Sequence, residues 1–229
     1  MRKKIKKSKN QKLKTKMTND WKLILKVIGG SALLLFVVIF GLSKMASPDS
    51  TLKVDEKVLL DGARFIKENG EIKVTVVNFS DMQCPACKAA DIQTRELFSK
   101  PGVKIVTRLF PLPANLHPYA LISAKAVETA RILGKGWEMM TLLYEKQTEW
   151  SAVDKPEEKF AEYVKSLGLD EKIFLEMLGS KEVKDNVQRD ADLAASLRLS
   201  GTPTFFVNGE QVGAPFVVGK VKELLGEKP

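Results

Sequence analysis

Cys84 and Cys87 are the only cysteines in 229 residues, and they stand three apart as Cys84-Pro85-Ala86-Cys87. On a helix, residues three apart share one face. One thiol can then attack a disulfide, and the other can resolve the mixed disulfide that forms. The flanking pattern suits this use. Lys73 to Phe79 (KVTVVNF) is apolar and β-branched, as a buried strand should be. Helical patterning runs from residue 84 to residue 99, with Pro85 in the first turn, where its missing N–H costs nothing. A helix start offers unpaired N–H groups and a partial positive charge, and both stabilise a thiolate. The sequence therefore predicts Cys84 as the exposed nucleophile and Cys87 as the resolving thiol.

Three other uses of the pair compete with this one. A structural zinc site needs two further Cys or His ligands, and His117 is the sole histidine. A structural disulfide between these two residues would close a very small loop, which stabilises little. The thiolates, with Met82 close by, could also hold a soft cation such as Cu(I), which would make the chain a delivery protein rather than an enzyme.

The elements that must position the cysteines follow in order. Pro101-Gly102 ends the first helix, and Val103 to Phe110 (VKIVTRLF) reads as a second strand. A Pro-rich stretch, PLPANLHP, comes next. Residues 119–199 then carry only helical patterns: Ala120 to Leu133, Trp137 to Thr148, Pro156 to Leu167, Asp170 to Leu178 and Lys181 to Leu199. Thr204 to Val207 (TFFV) is a third strand. Asn208-Gly209 is a two-residue hairpin turn, Gln211-Val212 starts the partner strand, and Val217 to Leu225 is a closing helix.

Two motifs in this order resemble a known family. The run VTVVNFSDMQCPACK resembles the strand–CxxC–helix entry of the thioredoxin superfamily. It is more closely similar to the DsbA-like group, where a strand leads into D-x-Q-C-P-x-C. The run Gly201-Thr202-Pro203-Thr204 resembles the loop in which that superfamily keeps a cis proline facing the CxxC. The resemblance covers roughly residues 70–229. It implies a thioredoxin-like α/β fold with an inserted all-helical subdomain. It also implies that Thr202 and Pro203 present backbone to an extended substrate strand. The activity implied is dithiol–disulfide exchange on protein substrates, with the Cys84–Cys87 disulfide as the redox group and no other cofactor or metal. Turnover as an oxidant implies a membrane partner, such as a quinone-linked protein, that reoxidises the pair. The central dipeptide Pro85-Ala86 departs from both the Pro-His of strongly oxidising DsbA and the Gly-Pro of thioredoxin. Ala86 offers no charge to a thiolate, so a reductase or isomerase on the same fold stays open.

The formal charge of +9 belongs to one end of the chain. Ten bases and one acid lie in residues 1–22, which leaves the remainder balanced. A nucleic-acid-binding domain carries its bases on folded elements, so that class of function is excluded. Residues 23–43 follow as an apolar segment, with sixteen uncharged residues from Val27 to Leu42 and Trp21 at its edge. About 20 apolar residues span a bilayer, and the preceding bases favour a cytoplasmic N-terminus. The expected organisation is a basic cytoplasmic tail (1–22), a transmembrane anchor (23–43), a linker (44–53) and an extracytoplasmic thioredoxin-like domain (54–229) with its helical insertion at about 117–199. A cleaved signal peptide is the rival reading. A cleavage point after Ala46 would have Lys44 as the third residue back, where a small residue is wanted, so it fits such cleavage poorly.

Other residues invite two readings each. His117 either holds its loop by hydrogen bonds or helps to move a proton. Asp81 either caps its turn or assists Cys87. Lys88 either adds charge near the thiolate or is solvated. Trp137 and Trp150, among apolar neighbours, read as packing residues.

Overall fold

The structure, a computed structural model, describes residues 52–227. The tail 1–22, the segment 23–43 and most of the linker 44–53 lie outside the described residues. Among the described residues no helix is long and apolar enough to cross a membrane.

Five strands make one mixed sheet: β1 (Phe65–Glu68), β2 (Val74–Ser80), β3 (Val103–Leu109), β4 (Thr204–Val207) and β5 (Glu210–Val212), in the order β1-β3-β2-β4-β5. The two central strands β2 and β3 are parallel, and the other three pairings are antiparallel. A parallel pair needs a crossover, and helix α2 (Pro85–Thr94) supplies it. The shorter α1 (Glu56–Leu60) precedes the sheet.

Central strands in such a sheet are buried on both faces, and successive side chains divide between them. In β2, Val74 and Val76 join Ala90, Leu97, Val103, Ile105 and Phe205 in one cluster. Val77 and Phe79 join Leu59, Val106, Ala194 and Phe206 in another. This is why the run VTVVNFS is apolar nearly throughout rather than alternating. It also fixes which end of the sheet faces the redox helix, because β2 leads directly into the cysteines.

Between β3 and β4 runs the helical insertion: α3 (Ala120–Ile132), α4 (Gly136–Glu145), α5 (Gln147–Trp150), α6 (Pro156–Ser166), α7 (Glu171–Leu178) and α8 (Lys181–Ser196). Its core includes Val127, Met139, Leu143, Trp150, Phe160, Val164 and Phe174, and Cys84 and Cys87 belong to the same cluster. Helix α9 (Val217–Leu224) closes the fold. The thioredoxin-like α/β architecture with a helical insertion is therefore as expected.

Four local features differ from the sequence reading. The helix expected over 84–99 is α-helical only to Thr94, then tightens into a 3₁₀ stretch, Arg95–Ser99. The helix expected from Trp137 to Thr148 is two, with a break at Lys146. Helix α1 and strand β1 have no counterpart in the sequence reading. The hairpin turn is as expected: Asn208 and Gly209 have φ of 48° and 80°, the left-handed pair that a two-residue turn requires.

Candidate active site

Strand β2 ends at Ser80, and the loop Asp81–Gln83 delivers Cys84 to the N-cap of α2. Cys84 has extended backbone (φ −73°, ψ 119°), and its Sγ accepts from the Cys87 backbone N–H at 3.4 Å. This is the work a Ser or Asp usually does at a helix start. Pro85 occupies the first helical position and is exposed, as is Ala86. Cys87 is fully buried one turn on, and the Asp81 backbone N–H points at its sulfur from 3.5 Å. Both cysteines are free thiols, and both are buried; Cys84, expected to be exposed, keeps only 5% of its surface open because the Thr202 loop and the helical insertion pack over it.

The third wall is the loop before β4. The Thr202–Pro203 bond is cis. The Thr202 carbonyl lies 3.5 Å from Cys84 Sγ and can accept its proton. The Thr202 hydroxyl is buried and favours the thiolate form of both sulfurs. Thus Cys84, Cys87, Thr202 and Pro203 meet in space although Cys87 and Thr202 are 115 positions apart in the chain.

The two thiols are driven apart in acidity. The Cys84 thiol is pulled from its ordinary value down to about 6. The largest cause is the Cys87 thiol donating to it. The backbone N–H groups of Cys87 and Ala86 and the Thr202 hydroxyl add to this, against the cost of burial. Burial pushes the Cys87 thiol well up, and its bond to the Cys84 sulfur holds its proton in place. The result is one ready thiolate and one protonated reserve, bonded to each other.

The helical insertion grips this loop at several points. Gln147, the first residue of α5, donates from Nε2 to the carbonyls of Met82 (2.8 Å) and Cys84 (3.0 Å). Gln83 Oε1 accepts from the Tyr119 N–H at 2.7 Å, just before α3. The Tyr144 hydroxyl, buried with Cys87 in one cluster, shares a 2.6 Å bond with Ser80 Oγ. Gln147, Tyr144 and Ser80 escape sequence reasoning, and no pattern in the chain marks them. Gln83 carries a signal, since it is the Gln of the quoted D-x-Q-C-P run.

Asp81 is buried and caps its own turn. Oδ1 accepts from the Gln83 N–H (2.7 Å), and Oδ2 from the Leu112 N–H (2.9 Å) and from His117 Nδ1 (2.8 Å). His117 therefore fastens the loop after β3 to the redox loop. Lys88 turns away, with its ammonium at the Glu145 carbonyl. Trp150 is buried and bonded to the Leu143 carbonyl, and Trp137 packs edge-on against Phe65 and Phe98. Among the described residues no cluster of three or more His, Cys, Asp or Glu could hold a metal ion.

The family model described as thioredoxin matches residues 69–227. The chain belongs to the thioredoxin family. Solved structures with the same fold include the thiol-disulfide exchange protein alpha-DsbA2 from Wolbachia pipientis. It is 21% identical, with a TM-score of 0.63 over 74% of this chain and 91% of that one. Oxidised BdbD from Bacillus subtilis is 20% identical, with a TM-score of 0.61 over 77% of this chain and 97% of that one. The fold of this thioredoxin-family domain is thus DsbA-like. Curated relatives include Na(+)/H(+) antiporter NhaA 3 from Salinispora tropica, 38% identical over 147 residues. The match covers 64% of this chain but only 22% of that protein, so the chain spans about a fifth of the relative's length.

Proposed function

We propose that this protein is an enzyme of thiol–disulfide exchange on proteins outside the cytoplasm, introducing disulfides through Cys84 and Cys87. The observation that carries the reading is the geometry: Cys84 at the N-cap of α2 faces the cis Thr202–Pro203 loop, with Cys87 fully buried beside it. A client thiolate attacks Cys84 of the Cys84–Cys87 disulfide and expels the Cys87 thiolate, which takes a proton. A second client thiol, as its thiolate, attacks the mixed disulfide at the client sulfur and releases Cys84 as a thiolate. The client gains a disulfide, and the pair takes up two electrons. Stabilising the Cys84 thiolate makes it a good leaving group and stabilises the reduced pair, which makes the disulfide the oxidising partner.

The Thr202–Pro203 loop beside Cys84 offers backbone to an extended client segment. The redox group is the Cys84–Cys87 disulfide itself, and reoxidation falls to a membrane partner. Residues 23–43 anchor the domain to the membrane, with the bases of residues 1–22 on the cytoplasmic side. The relatives named as Na(+)/H(+) antiporters support a domain of this kind working tethered to a membrane.

The test is oxidation of a reduced dithiol peptide and, separately, reduction of insulin, with the equilibrium potential set by glutathione buffers. Peptide oxidation with a potential above thioredoxin's supports the oxidant. Insulin reduction with a thioredoxin-like potential reverses the direction. Tight Cu(I) binding without exchange would replace the enzyme by a metal carrier.

A further inference from the structure

The geometry points to Gln147 as the positioning residue through which the helical insertion sets the reactivity of Cys84. The inference rests on the exchange reading of Cys84 and adds to it a residue from outside the motifs.

Gln147 is 5% exposed and opens α5, directly after the break at Lys146. Its one amide nitrogen bridges two alternate carbonyls of the redox loop, those of Met82 and Cys84. The Cys84 carbonyl also accepts the first helical bond of α2, from the Lys88 N–H at 3.2 Å. Two donors on one carbonyl fix the peptide plane between Cys84 and Pro85, and the Met82 bond fixes the plane before Gln83. The orientation of that segment decides where Cys84 Sγ lies. It must stay extended for the sulfur to sit over the Cys87 N–H at 3.4 Å and to face Thr202.

The other side-chain ties act upstream. Asp81 holds the Gln83 N–H, and Gln83 holds the Tyr119 N–H. Gln147 reaches the backbone of the nucleophile itself. It follows directly on the break in the helix expected across Trp137 to Thr148. A continuous helix would carry residue 147 on the axis of α4. The break lets it start α5 with its side chain turned into the redox loop. The substitution Gln147→Met keeps length and bulk and loses both hydrogen bonds to the loop.

The experiment is a pH titration of thiolate absorbance in the reduced full chain in detergent, for wild type, Gln147→Met and Gln147→Asn. The wild-type midpoint is expected at about 6. Gln147→Met should raise it by at least about one unit, a tenfold loss of thiolate at a pH below both midpoints. Gln147→Asn keeps the amide but is a methylene too short to bridge both carbonyls, and should shift the midpoint by less. It carries the test if Gln147→Met does not fold. Phe174→Leu, in the insertion core and away from the loop, is the control for general loosening. Unmoved midpoints in the Gln147 variants overturn the proposal. So does a Phe174→Leu shift as large as that of Gln147→Met at equal loss of stability. A wild type whose low midpoint depends on Gln147 but which exchanges no disulfides sinks the functional reading and upholds the positioning role.

Discussion

Around Arg108 and Asp190 the fold buries formal charges and gives each several partners. Around Cys84 and Cys87 it buries two thiols and keeps one of them ready to ionise. The first site links β3, α1, α3 and α8. Arg108 Nη1 lies 2.9 Å from Asp190 Oδ1, while its Nε and Nη2 donate to the carbonyls of Leu59 and Asp61. Asp190 Oδ2 also takes the Leu109 N–H and Arg64. Glu128 meets Arg131, Arg64 and Asn186. At the sulfur site the contacts run 3.4 to 3.5 Å, ordinary for sulfur, which is a weak hydrogen-bonding partner. The lesson is that burial alone does not distinguish architecture from chemistry. The degree of saturation does. Arg108 and Asp190 are each given several bonds, because an unpaired buried charge is very costly. A sulfur needed for exchange must be able to change partners.

The largest expected effect separates the two sites completely. Cys84→Ser should abolish exchange, since no nucleophile remains. The fold should survive the change, because a serine hydroxyl can accept the Cys87 N–H at the helix start in place of the sulfur. Cys87→Ser should instead accumulate mixed disulfides with client proteins, visible on non-reducing gels. If Cys84→Ser traps clients and Cys87→Ser does not, the roles are exchanged.

The converse change is Arg108→Met. It leaves Asp190 with Arg64 as its remaining cation and strips the Leu59 and Asp61 carbonyls of their donor. Breaking a buried pair from one side costs about 3–5 kcal/mol. Urea unfolding should show a loss of that size, while the Cys84 titration midpoint of the folded variant stays put. A loss under about 1 kcal/mol would make this cluster no better than a surface pair.

A third prediction uses pH to read the slack in the sulfur site. The folded Cys84 pKa, about 6, lies below that of the unfolded chain. Such a group contributes stability that is fully present above the unfolded value and is lost as pH falls through the folded one. The oxidised protein has no thiol to titrate. Reduced-minus-oxidised stability should therefore grow between about pH 6 and the ordinary thiol pKa, with other titrating groups cancelling. Burial raises the Cys87 thiol, so it adds nothing within this window. Arg108→Met should displace both forms alike. A flat difference across the window would mean that Cys84 is not perturbed.

Much of the sulfur site was legible in the sequence because its parts are local. A strand, two cysteines at helical spacing and a proline at the helix start can each be read in a short window, while the Thr202-Pro203 loop came from a resemblance rather than from local pattern. The charge cluster was not legible. Arg108 sits in VKIVTRLF, where seven neighbours argue only for a strand, and Asp190 lies in the polar-looking α8, 82 residues away. Their pairing is a fact of tertiary packing. β1 was missed for a related reason. FIKE is a four-residue edge strand with two charges, and it becomes a strand because β3 lies beside it. Gln147 belongs to the same class, since nothing near it in the chain anticipates a bond to residue 82.

The smallest expected effect tests the comparison where it is most exposed, at Asp81. This is the buried carboxylate of the sulfur site, and it resembles Asp190 in being saturated: it accepts from Gln83, Leu112 and His117. If saturation marks architecture, Asp81 should behave as a fastener rather than as part of the chemistry. Asp81→Asn keeps the shape and leaves one acceptor oxygen. The Gln83 bond can stay on that oxygen, and His117 can change tautomer to accept from the new amide. The Leu112 N–H then faces a donor and loses its partner, at a cost of about 1–3 kcal/mol, less than Arg108→Met. The Cys84 midpoint should stay at about 6, because Asp81 meets the sulfurs through its backbone N–H at Cys87 and not through its carboxylate. Urea unfolding and thiolate titration of the same preparation decide the matter. A midpoint displaced by a full unit with little loss of stability would show the carboxylate acting on the sulfurs. Saturation would then fail as a guide to which buried groups in this fold do chemistry.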